Sequence, residues 1–300
     1  MKKTNTLIYL CLLFIFFNLT NAQQTSTALD FDGTNDYILY DNPVSGTTKS
    51  TTCWIKTTKT SKTLLNSNFY INRFQNDGKV YSFFDSSTGN GDNIANQSTT
   101  SVADGNWHHI ASTNDGSITR LYVDGVLEAT YSDTYNPQSS ERIGGNHDFN
   151  LDWYDGQLDE YATWSKTLTQ QEIISQMNQK LTGNESGLAV YFDFEEGVPN
   201  GNNSASGGDI TQVINQAGSN NGTVNNFART GTSSNWVDGK TFFTGNTALY
   251  FDGVDDYIQY TNPASGTSKS VSFWISTSAT TQTLVCSGLY ISRFANDGKV

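Results

Sequence analysis

The chain carries one stretch twice, and this duplication limits what it can fold into more than any other feature. Residues 28–80 recur as residues 248–300 at a constant offset of 220, with 32 identities in 53 positions and no gap. A period this long exceeds the roughly 20–50 residues of a solenoid unit. The sequence therefore predicts two domains of one kind in tandem. We expect the second to be truncated, because Val300 matches Val80.

The first 22 residues have the pattern of a secretory signal peptide. Lys2 and Lys3 precede an apolar run from Leu7 to Leu19, and small and polar residues lead to a cleavage site after Ala22. The run is too short for a comfortable membrane span. We therefore expect export to a secreted or cell-surface location. The remaining divisions that we predict are 23–228 for the first domain with its C-terminal tail, 229–247 for a linker, and 248–300 for the start of the second domain.

Composition narrows the class of protein and of partner. Charged residues make up 15% of the chain, the net charge is −12, and no basic run occurs. Nucleic acids and membranes are therefore poor partners, which leaves a glycan or an extracellular protein. Outside the signal segment only Cys53 and Cys286 remain, one in each copy. Two cysteines in different copies do not make a disulfide framework, so we interpret Cys53 as a buried small hydrophobe.

From Gln23 onwards, apolar and polar residues alternate with a period of two, and turn residues separate the runs. This pattern is typical of half-buried β-strands, and Asp124-Gly125 between two such runs predicts a hairpin. One helix is predicted, because Thr169 and Glu172 form a capping box before Ile173 and Met177. We expect it to lie against the edge of the sandwich. The predicted fold class is all-β, a two-sheet antiparallel jelly-roll sandwich with one short helix.

Several short motifs occur in a fixed order across residues 28–196. They are Leu29-Asp30-Phe31-Asp32-Gly33 with Asp36-Tyr37, the strand Ser50–Ile55 with Trp54, Trp107-His108-His109-Ile110-Ala111, Leu121-Tyr122-Val123-Asp124-Gly125-Val126, Ile143-Gly144-Gly145, Gly156-Gln157-Leu158-Asp159-Glu160 with Trp164, Leu168-Thr169 with Glu172-Ile173, and Gly187–Phe194. In order and spacing they resemble the laminin-G-like and pentraxin-like jelly rolls of the concanavalin A-like lectin/glucanase superfamily. The resemblance implies recognition of glycans or protein partners, often with calcium, within adhesins or polysaccharide-degrading proteins.

No catalytic pair is predicted. Glucanases of this superfamily use a Glu-x-Asp-x-x-Glu pattern on one strand, and none of the seven glutamates here begins it. Asp159 and Glu160 are adjacent, so alternation along a strand predicts that they face opposite sides of the sheet. His108 and His109 face opposite ways for the same reason and lack a nucleophile motif. We interpret both histidines as strand residues without a catalytic or zinc-binding role.

The polar and aromatic loop 146–155 is the predicted binding site. Oxygen donors suit Ca²⁺, and we predict Asn146, Asp148 and Asp152 as metal ligands. In pentraxin-like relatives a calcium loop occupies this position, although Asn146 and His147 here replace a more acidic pattern. The alternative is that these are solvated turn residues. We predict that His147, Trp153 and Tyr154 bind the ligand, by stacking on a sugar or by hydrogen-bonding to it. The alternative for the two rings is that one of them plugs the end of the sandwich.

The functional hypothesis is therefore a secreted, non-catalytic binding module that recognises glycans through rim loops. Calcium is the candidate cofactor. Two alternatives remain open at this point. The module is a structural or adhesive repeat that contacts other proteins, or it is an accessory part of a larger polysaccharide-degrading hydrolase. The fold alone does not choose among them, because one sandwich serves many binders.

Overall fold

A computed structural model describes most of the first copy and a small part of the second. The described residues are 23–24, 26–59, 63–66, 69–71, 77–82, 96–145, 152–204, 210–243, 283–286 and 289–291. The chain divides into two compact units, Met1–Asn246 and Thr247–Val300. The predicted signal segment, residues 1–22, lies outside the described residues. No helix in the described ranges is long and apolar enough to cross a membrane.

The first unit contains two eight-stranded antiparallel sheets. Sheet 1 consists of β2 (Thr27–Asp32), β4 (Lys49–Lys56), β9 (Trp107–Asn114), β10 (Ile118–Val123), β11 (Val126–Ser132), β13 (Asp155–Trp164), β14 (Leu188–Phe192) and β17 (Asn235–Asp238). Sheet 2 consists of β3 (Tyr37–Asp41), β5 (Thr63–Asn66), β6 (Phe69–Ile71), β7 (Lys79–Ser82), β8 (Gln97–Ser101), β12 (Ser140–Ile143), β15 (Gln212–Val213) and β16 (Gly222–Asn225). A separate two-stranded ribbon pairs β1 (Gln23–Gln24) with β18 (Phe242–Phe243).

Strand order is non-sequential in both sheets, as expected of a jelly roll. Sheet 1 runs β11-β10-β9-β4-β13-β2-β17, and β14 pairs with the second half of β13. Sheet 2 runs β15-β16-β3-β12-β5-β6-β7-β8. The early strand β2 pairs with the late strand β13, with Leu29 opposite Leu158. This topology confirms the predicted antiparallel sandwich.

The main core lies between the two sheets and is built from alternate residues of the strands. Sheet 1 contributes, among others, Leu29, Phe31, Cys53, Ile55, Ile110 and Leu158; sheet 2 contributes Ile38, Tyr40, Leu65, Val80 and Ile143. Because side chains alternate across a strand, the intervening residues face outward. Cys53 is fully buried, as predicted for a small hydrophobe.

The helix α1 (Gln170–Met177) begins with the predicted capping box between Thr169 and Glu172. It lies on the outer face of sheet 1, not at the edge of the sandwich as the sequence led us to expect. Ile173 packs there in a second apolar cluster with Trp164 and Tyr191. The helix shields this outer face of sheet 1 from solvent, because Trp164 and Tyr191 are large side chains that point away from the main core.

The segment predicted as a linker, 229–247, contributes a strand to the first domain. Within it, β17 adds to the edge of sheet 1 by pairing with β2, and Trp236 lies opposite Leu29. Trp236 is fully buried in the main core. Residues 235–238 of the predicted linker therefore complete the sheet, and residues 239–243 continue across its outer face.

In the second unit the structure describes one hairpin, β19 (Thr283–Cys286) with β20 (Leu289–Ile291). Its register pairs Thr283 with Ile291 and Cys286 with Leu289. The same register occurs 220 residues earlier, between β5 and β6. The backbone of this hairpin thus follows the sequence repeat.

Candidate functional site

The predicted binding loop leaves sheet 2 at the end of β12 and returns to sheet 1 at the start of β13. Asn146, His147 and Asp148 lie outside the described residues, so their predicted roles are untested. The structure describes the last part of the loop, Asp152 to Tyr154. These three residues have different environments.

Trp153 is half-buried and belongs to an aromatic cluster on the outer face of sheet 2. Its ring lies 6.2 Å from that of Tyr37, with 29° between the planes. The Arg142 guanidinium lies 4.3 Å from the Tyr37 ring centroid and 5.7 Å from that of Trp153. We call Tyr37, Arg142 and Trp153 the rim cluster. It combines two flat apolar surfaces with a planar cation that stacks on them.

Glycine at position 145 allows Trp153 to lie this close to the end of β12. A Cβ atom at Gly145 would lie 2.5 Å from the Trp153 ring, closer than real contacts allow. The sequence drew attention to Trp153 but not to Tyr37 or Arg142. The available signal was strand alternation, which places Tyr37 on the face opposite Ile38 and Arg142 on the face opposite Ile143.

Tyr154 does not take the ligand-binding role that the sequence suggested. Its side chain is fully buried, its ring lies 5.4 Å from that of Phe31, and its hydroxyl donates to the Gln157 carbonyl at 3.0 Å. A ring enclosed in this way has no face for a sugar. Tyr154 therefore plugs the end of the sandwich, which is the alternative stated for one of the two rings.

Asp152 is half-buried and adopts a left-handed backbone conformation, with φ of 56°. The nearby Asp155 carboxylate pairs with the Lys59 ammonium at 2.8 Å. Among the described residues, no three His, Cys, Asp or Glu side chains are grouped so as to hold a metal ion. A calcium site at this loop would therefore depend on Asn146 and Asp148 together with Asp152.

The β2–β3 turn next to the rim cluster is held by two aspartates. Asp32 accepts a hydrogen bond from the Thr34 amide, and Asp36 accepts one from the Asp32 amide at 3.0 Å. Asp36 is also bonded to the Ser234 hydroxyl and is almost fully buried. Burial raises the pKa of Asp36 to about 6, although these hydrogen bonds favour the ionised form. Asp32 and Asp36 therefore stabilise the turn between β2 and β3.

The two neighbouring histidines have unrelated environments. His109 is buried on the outer face of sheet 1 with its ring 5.3 Å from Trp54, and burial lowers its pKa to about 4. His108 lies between Asp124 at 2.8 Å and Asp104 at 3.2 Å, and its hydrogen bond to Asp124 raises its pKa despite partial burial. Neither histidine belongs to a group of three possible metal ligands in the described part of the chain.

Asp159 and Glu160 lie on the same face of sheet 1, so the expectation of opposite faces is wrong. The register of β13 shifts between Asp159 and Ala162, and Glu160 has a φ of 52°. This bulge inserts one extra residue, so two successive side chains point outward between the inward-facing Leu158 and Tyr161. Alternation fails at a bulge, and no turn residue marks it in the sequence.

Both carboxyl groups are enclosed. Asp159 is fully buried, and it accepts hydrogen bonds from the Lys240 amide at 2.8 Å and the Ser26 hydroxyl at 3.1 Å. Glu160 accepts a hydrogen bond from the Tyr191 hydroxyl and lies 3.5 Å from the Lys180 ammonium. Burial raises the pKa of Asp159 well above its usual range and that of Glu160 to about 7. Asp159 thus binds the segment that follows β17 to the sheet, and both carboxyl groups are buried.

Comparison with known families supports the fold. The model of the Laminin_G_3 family, described as the concanavalin A-like lectin/glucanases superfamily, matches residues 32–174. This match confirms the resemblance to laminin-G-like domains over that stretch. A comparison with curated proteins finds no match.

Solved structures that are similar to this chain have low sequence identity to it. A candidate carbohydrate-binding protein from Bacteroides ovatus is 20% identical with a TM-score of 0.50, and the alignment covers 68% of this chain and 59% of that one. A heptameric SAP-like pentraxin from Limulus polyphemus is 13% identical with a TM-score of 0.39, covering 50% of this chain and 81% of that one. Domains LG4-5 of mouse laminin α1 are 12% identical with a TM-score of 0.36, covering 50% and 45%. At 20% identity the similarity to the Bacteroides ovatus protein establishes the fold alone.

Proposed function

We propose, from the premise that residues 32–174 form a laminin-G-like domain, that the chain is an exported, non-catalytic binding module that recognises glycans. The rim loop 146–155 and the adjoining rim cluster form the binding surface in this proposal. The observation that carries it is the position of Trp153, half-buried beside Tyr37 and Arg142 on the outer face of sheet 2.

The chemistry of the rim cluster suits a sugar. Aromatic rings offer apolar faces that contact the C–H face of a pyranose, and a guanidinium offers donors to its oxygens. The remaining polar residues of the loop, His147 among them, would bond the hydroxyl groups. Tyr154 would position the site, because its buried ring anchors the end of the loop where it joins β13.

Calcium is a further part of the proposal. Asn146, Asp148 and Asp152 would supply oxygen ligands to the ion, which would hold the loop in one conformation. The negative charge of the chain, −12, favours a cation at such a loop. The apolar segment at residues 7–19 supports export through a signal peptide.

A glycan array, probed with the full chain in Ca²⁺ and in EDTA, tests the proposal. We expect binding to a restricted set of glycans that Trp153→Ala weakens at least tenfold. Tyr154→Phe is the matched control, since it alters the neighbouring ring residue without touching the proposed surface. Absence of binding to any glycan at any calcium level rejects the lectin function. Equal binding by Trp153→Ala and the parent would move the site away from the rim cluster.

A further inference from the structure

The turn between β2 and β3, which leads directly into the rim cluster, is held by a segment from the far end of the domain. Residues 226–234 contact this turn at two points. The Asn226 side-chain amide donates to the Asn35 carbonyl at 2.9 Å, and the Ser234 hydroxyl donates to the Asp36 carboxylate at 2.9 Å. The bonded residues are 191 and 198 positions apart in the sequence. We call residues 226–234 the tail clamp.

Asp36 is the residue at which the tail clamp meets the rim cluster. It is almost fully buried and immediately precedes Tyr37 in the chain. One of its carboxylate oxygens accepts the Asp32 amide, and the other accepts the Ser234 hydroxyl. Loss of either bond leaves a buried oxygen without that donor, which costs free energy. The side chain therefore fixes the backbone at the start of β3, where the first ring of the rim cluster is attached.

The backbone of Asp36 connects the same turn to the second ring. A Cβ atom at Gly144 would lie 2.5 Å from the Asp36 carbonyl oxygen, so glycine allows this close approach. The Gly144 carbonyl accepts a hydrogen bond from the Tyr154 amide at 2.8 Å. The next residue, Gly145, lies against the Trp153 ring. The position of Asp36 thus bears on both rings of the rim cluster.

The sequence repeat retains the residues that make these contacts. The two aspartates and the tyrosine of the turn recur in the second copy as Asp252, Asp256 and Tyr257. An exposed residue of the same turn, Thr34, is replaced by Val254. Thr34→Val is therefore a matched control substitution, since a closely similar sequence already carries it.

We propose that Asp36 is a positioning residue of the rim cluster, and that the tail clamp holds Tyr37 and Trp153 in their binding arrangement through it. The effect on glycan affinity rests on the proposed function, whereas the effect on the rim itself follows from the contacts alone. The binding site then includes a segment outside residues 32–174, the part of the chain that matches the family model.

The buried carboxyl group makes this arrangement sensitive to pH. Burial raises the pKa of Asp36 to about 6, its two hydrogen bonds lower it, and the charges of Asp32 and Asp30 raise it. The other charged groups around the turn are Asp155 with its partner Lys59, Arg142 over the Tyr37 ring, and Arg229 of the tail clamp.

The sign of the pH effect follows from the environment of Asp36 in the closed and opened turn. Opening returns its carboxyl group to water, where the pKa is 3.8. The contribution of Asp36 to the closed turn is therefore fully present below about pH 3.8 and is lost as pH rises through about 6. Asp36→Asn keeps the arrangement of the protonated group at every pH, because its oxygen can accept the Asp32 amide and its nitrogen can donate to the Ser234 hydroxyl oxygen.

Hydrogen exchange of the full chain in EDTA at pH 5 and pH 8, corrected for intrinsic exchange rates, tests the proposal on residues 31–38 and 152–158. We expect Ser234→Ala and Asp36→Ala to raise exchange in both segments at least threefold and to leave α1 at the parent rate. Both segments of the parent should exchange faster at pH 8 than at pH 5, and Asp36→Asn should abolish this difference. Thr34→Val should behave as the parent does.

Two results of the exchange measurement overturn the proposal. Unchanged exchange of residues 152–158 in Ser234→Ala and Asp36→Ala would show that the tail clamp holds the turn without positioning Trp153. Equal pH dependence of Asp36→Asn and the parent would show that another group titrates.

Calorimetry in Ca²⁺ with laminarin, arabinan and xyloglucan as probes measures the effect on binding. For a probe that binds the parent, Asp36→Ala should weaken binding at least threefold, and Asp36→Asn should match the parent at pH 5 and exceed it at pH 8. Equal affinity of Asp36→Ala and the parent contradicts the positioning role. Absence of binding to all three probes contradicts the proposed function alone, because hydrogen exchange decides the role of Asp36 without a glycan.

Discussion

Lys49 and Glu141 form a buried ion pair between the two sheets of the sandwich. Lys49 begins β4 of sheet 1 and is fully buried, while Glu141 lies on β12 of sheet 2 with 3% of its surface exposed. The Tyr40 hydroxyl donates to the other Glu141 oxygen at 2.7 Å, and the Lys49 ammonium lies 5.1 Å from the Tyr135 ring centroid. This pair joins the two sheets through charge, within a core that is otherwise mainly apolar.

Removal of one partner should be costly. In Lys49→Met the Glu141 carboxylate loses its counter-charge in a dry environment, and a broken buried pair typically costs about 3–5 kcal/mol. We expect a decrease of this size in the free energy of unfolding, measured by urea titration with tryptophan fluorescence. The double variant Lys49→Met/Glu141→Gln, which leaves no charge and keeps an acceptor for Tyr40, should recover most of the loss.

The exposed pair Arg120–Asp115 provides the control. The Arg120 nitrogen and the Asp115 oxygen lie 2.9 Å apart, but each side chain is 34% exposed. Arg120→Met should cost less than about 1 kcal/mol, because solvent screens such pairs. Equal losses for Lys49→Met and Arg120→Met would contradict a special role for burial.

Glu160 should make the domain lose stability as pH rises. Burial raises its pKa to about 7 against the lowering effect of Lys180, so the folded state holds the proton more tightly than the unfolded state, whose value is 4.5. This contribution is fully present below about pH 4.5 and is lost as pH rises through about 7. Glu160→Gln removes the titration. The free energy of unfolding of the variant, relative to that of the parent, should therefore increase by roughly 1–3 kcal/mol between pH 4.5 and 8. Parallel stability curves for parent and variant would exclude a buried, titrating Glu160.

The helix cap gives a smaller and local effect. The Thr169 side chain accepts a hydrogen bond from the Glu172 amide, and the Glu172 carboxylate accepts one from the Thr169 amide at 2.7 Å. Thr169→Ala should lower the free energy of unfolding by about 1 kcal/mol, the usual cost of losing a cap. Gln171→Ala, an exposed substitution in the same turn, should change it by less than about 0.5 kcal/mol. A difference within error between the two in thermal melts would exclude the cap as a source of stability.

Tyr154 and Trp153 are neighbours whose variants should fail in different assays. Tyr154→Phe removes the hydrogen bond to the Gln157 carbonyl and should lower stability by about 1 kcal/mol without altering glycan affinity. Trp153→Ala should lower affinity with a smaller effect on melting, since its ring is only half-buried. Loss of glycan binding by Tyr154→Phe at unchanged stability would place this residue back in the binding surface.

The elements that the sequence predicted are those with local signals. Alternation, turn residues and the capping box indicate strands, hairpins and α1 from a few adjacent residues, and the structure has these elements. The strand β17 has only four residues and depends on the free edge of β2, whose Asp30 pairs with Asn235 from 205 positions earlier in the sequence. A local pattern does not contain that information, so residues 235–238 were predicted as linker.

The candidate site was predicted less completely, for a similar reason. The composition of loop 146–155 indicated a binding surface, but which ring points inward depends on Phe31 and Gln157 in other strands. The bulge at Glu160 inserts one residue into β13, so the side chains that follow it lie on the opposite face from the one that simple alternation predicts. The position of the bulge depends on the pairing of β13 with β4 and β14. The Arg142 contacts of the rim cluster likewise form only when β3 and β12 are paired.

Calcium binding at the rim loop should raise the melting temperature of the chain. A ligand that binds only the folded state adds about 2.7 kcal/mol at a concentration 100 times its dissociation constant. For a domain of this size each kcal/mol corresponds to roughly 2–4 °C. Ca²⁺ should therefore raise the melting temperature by several degrees over EDTA, and Asp148→Asn should abolish the rise. Asp41→Asn, an exposed carboxylate on β3 outside the loop, should leave it intact. Identical melting of the parent chain in Ca²⁺ and in EDTA would show that the loop binds no calcium, and the glycan would then be held by the rim cluster alone.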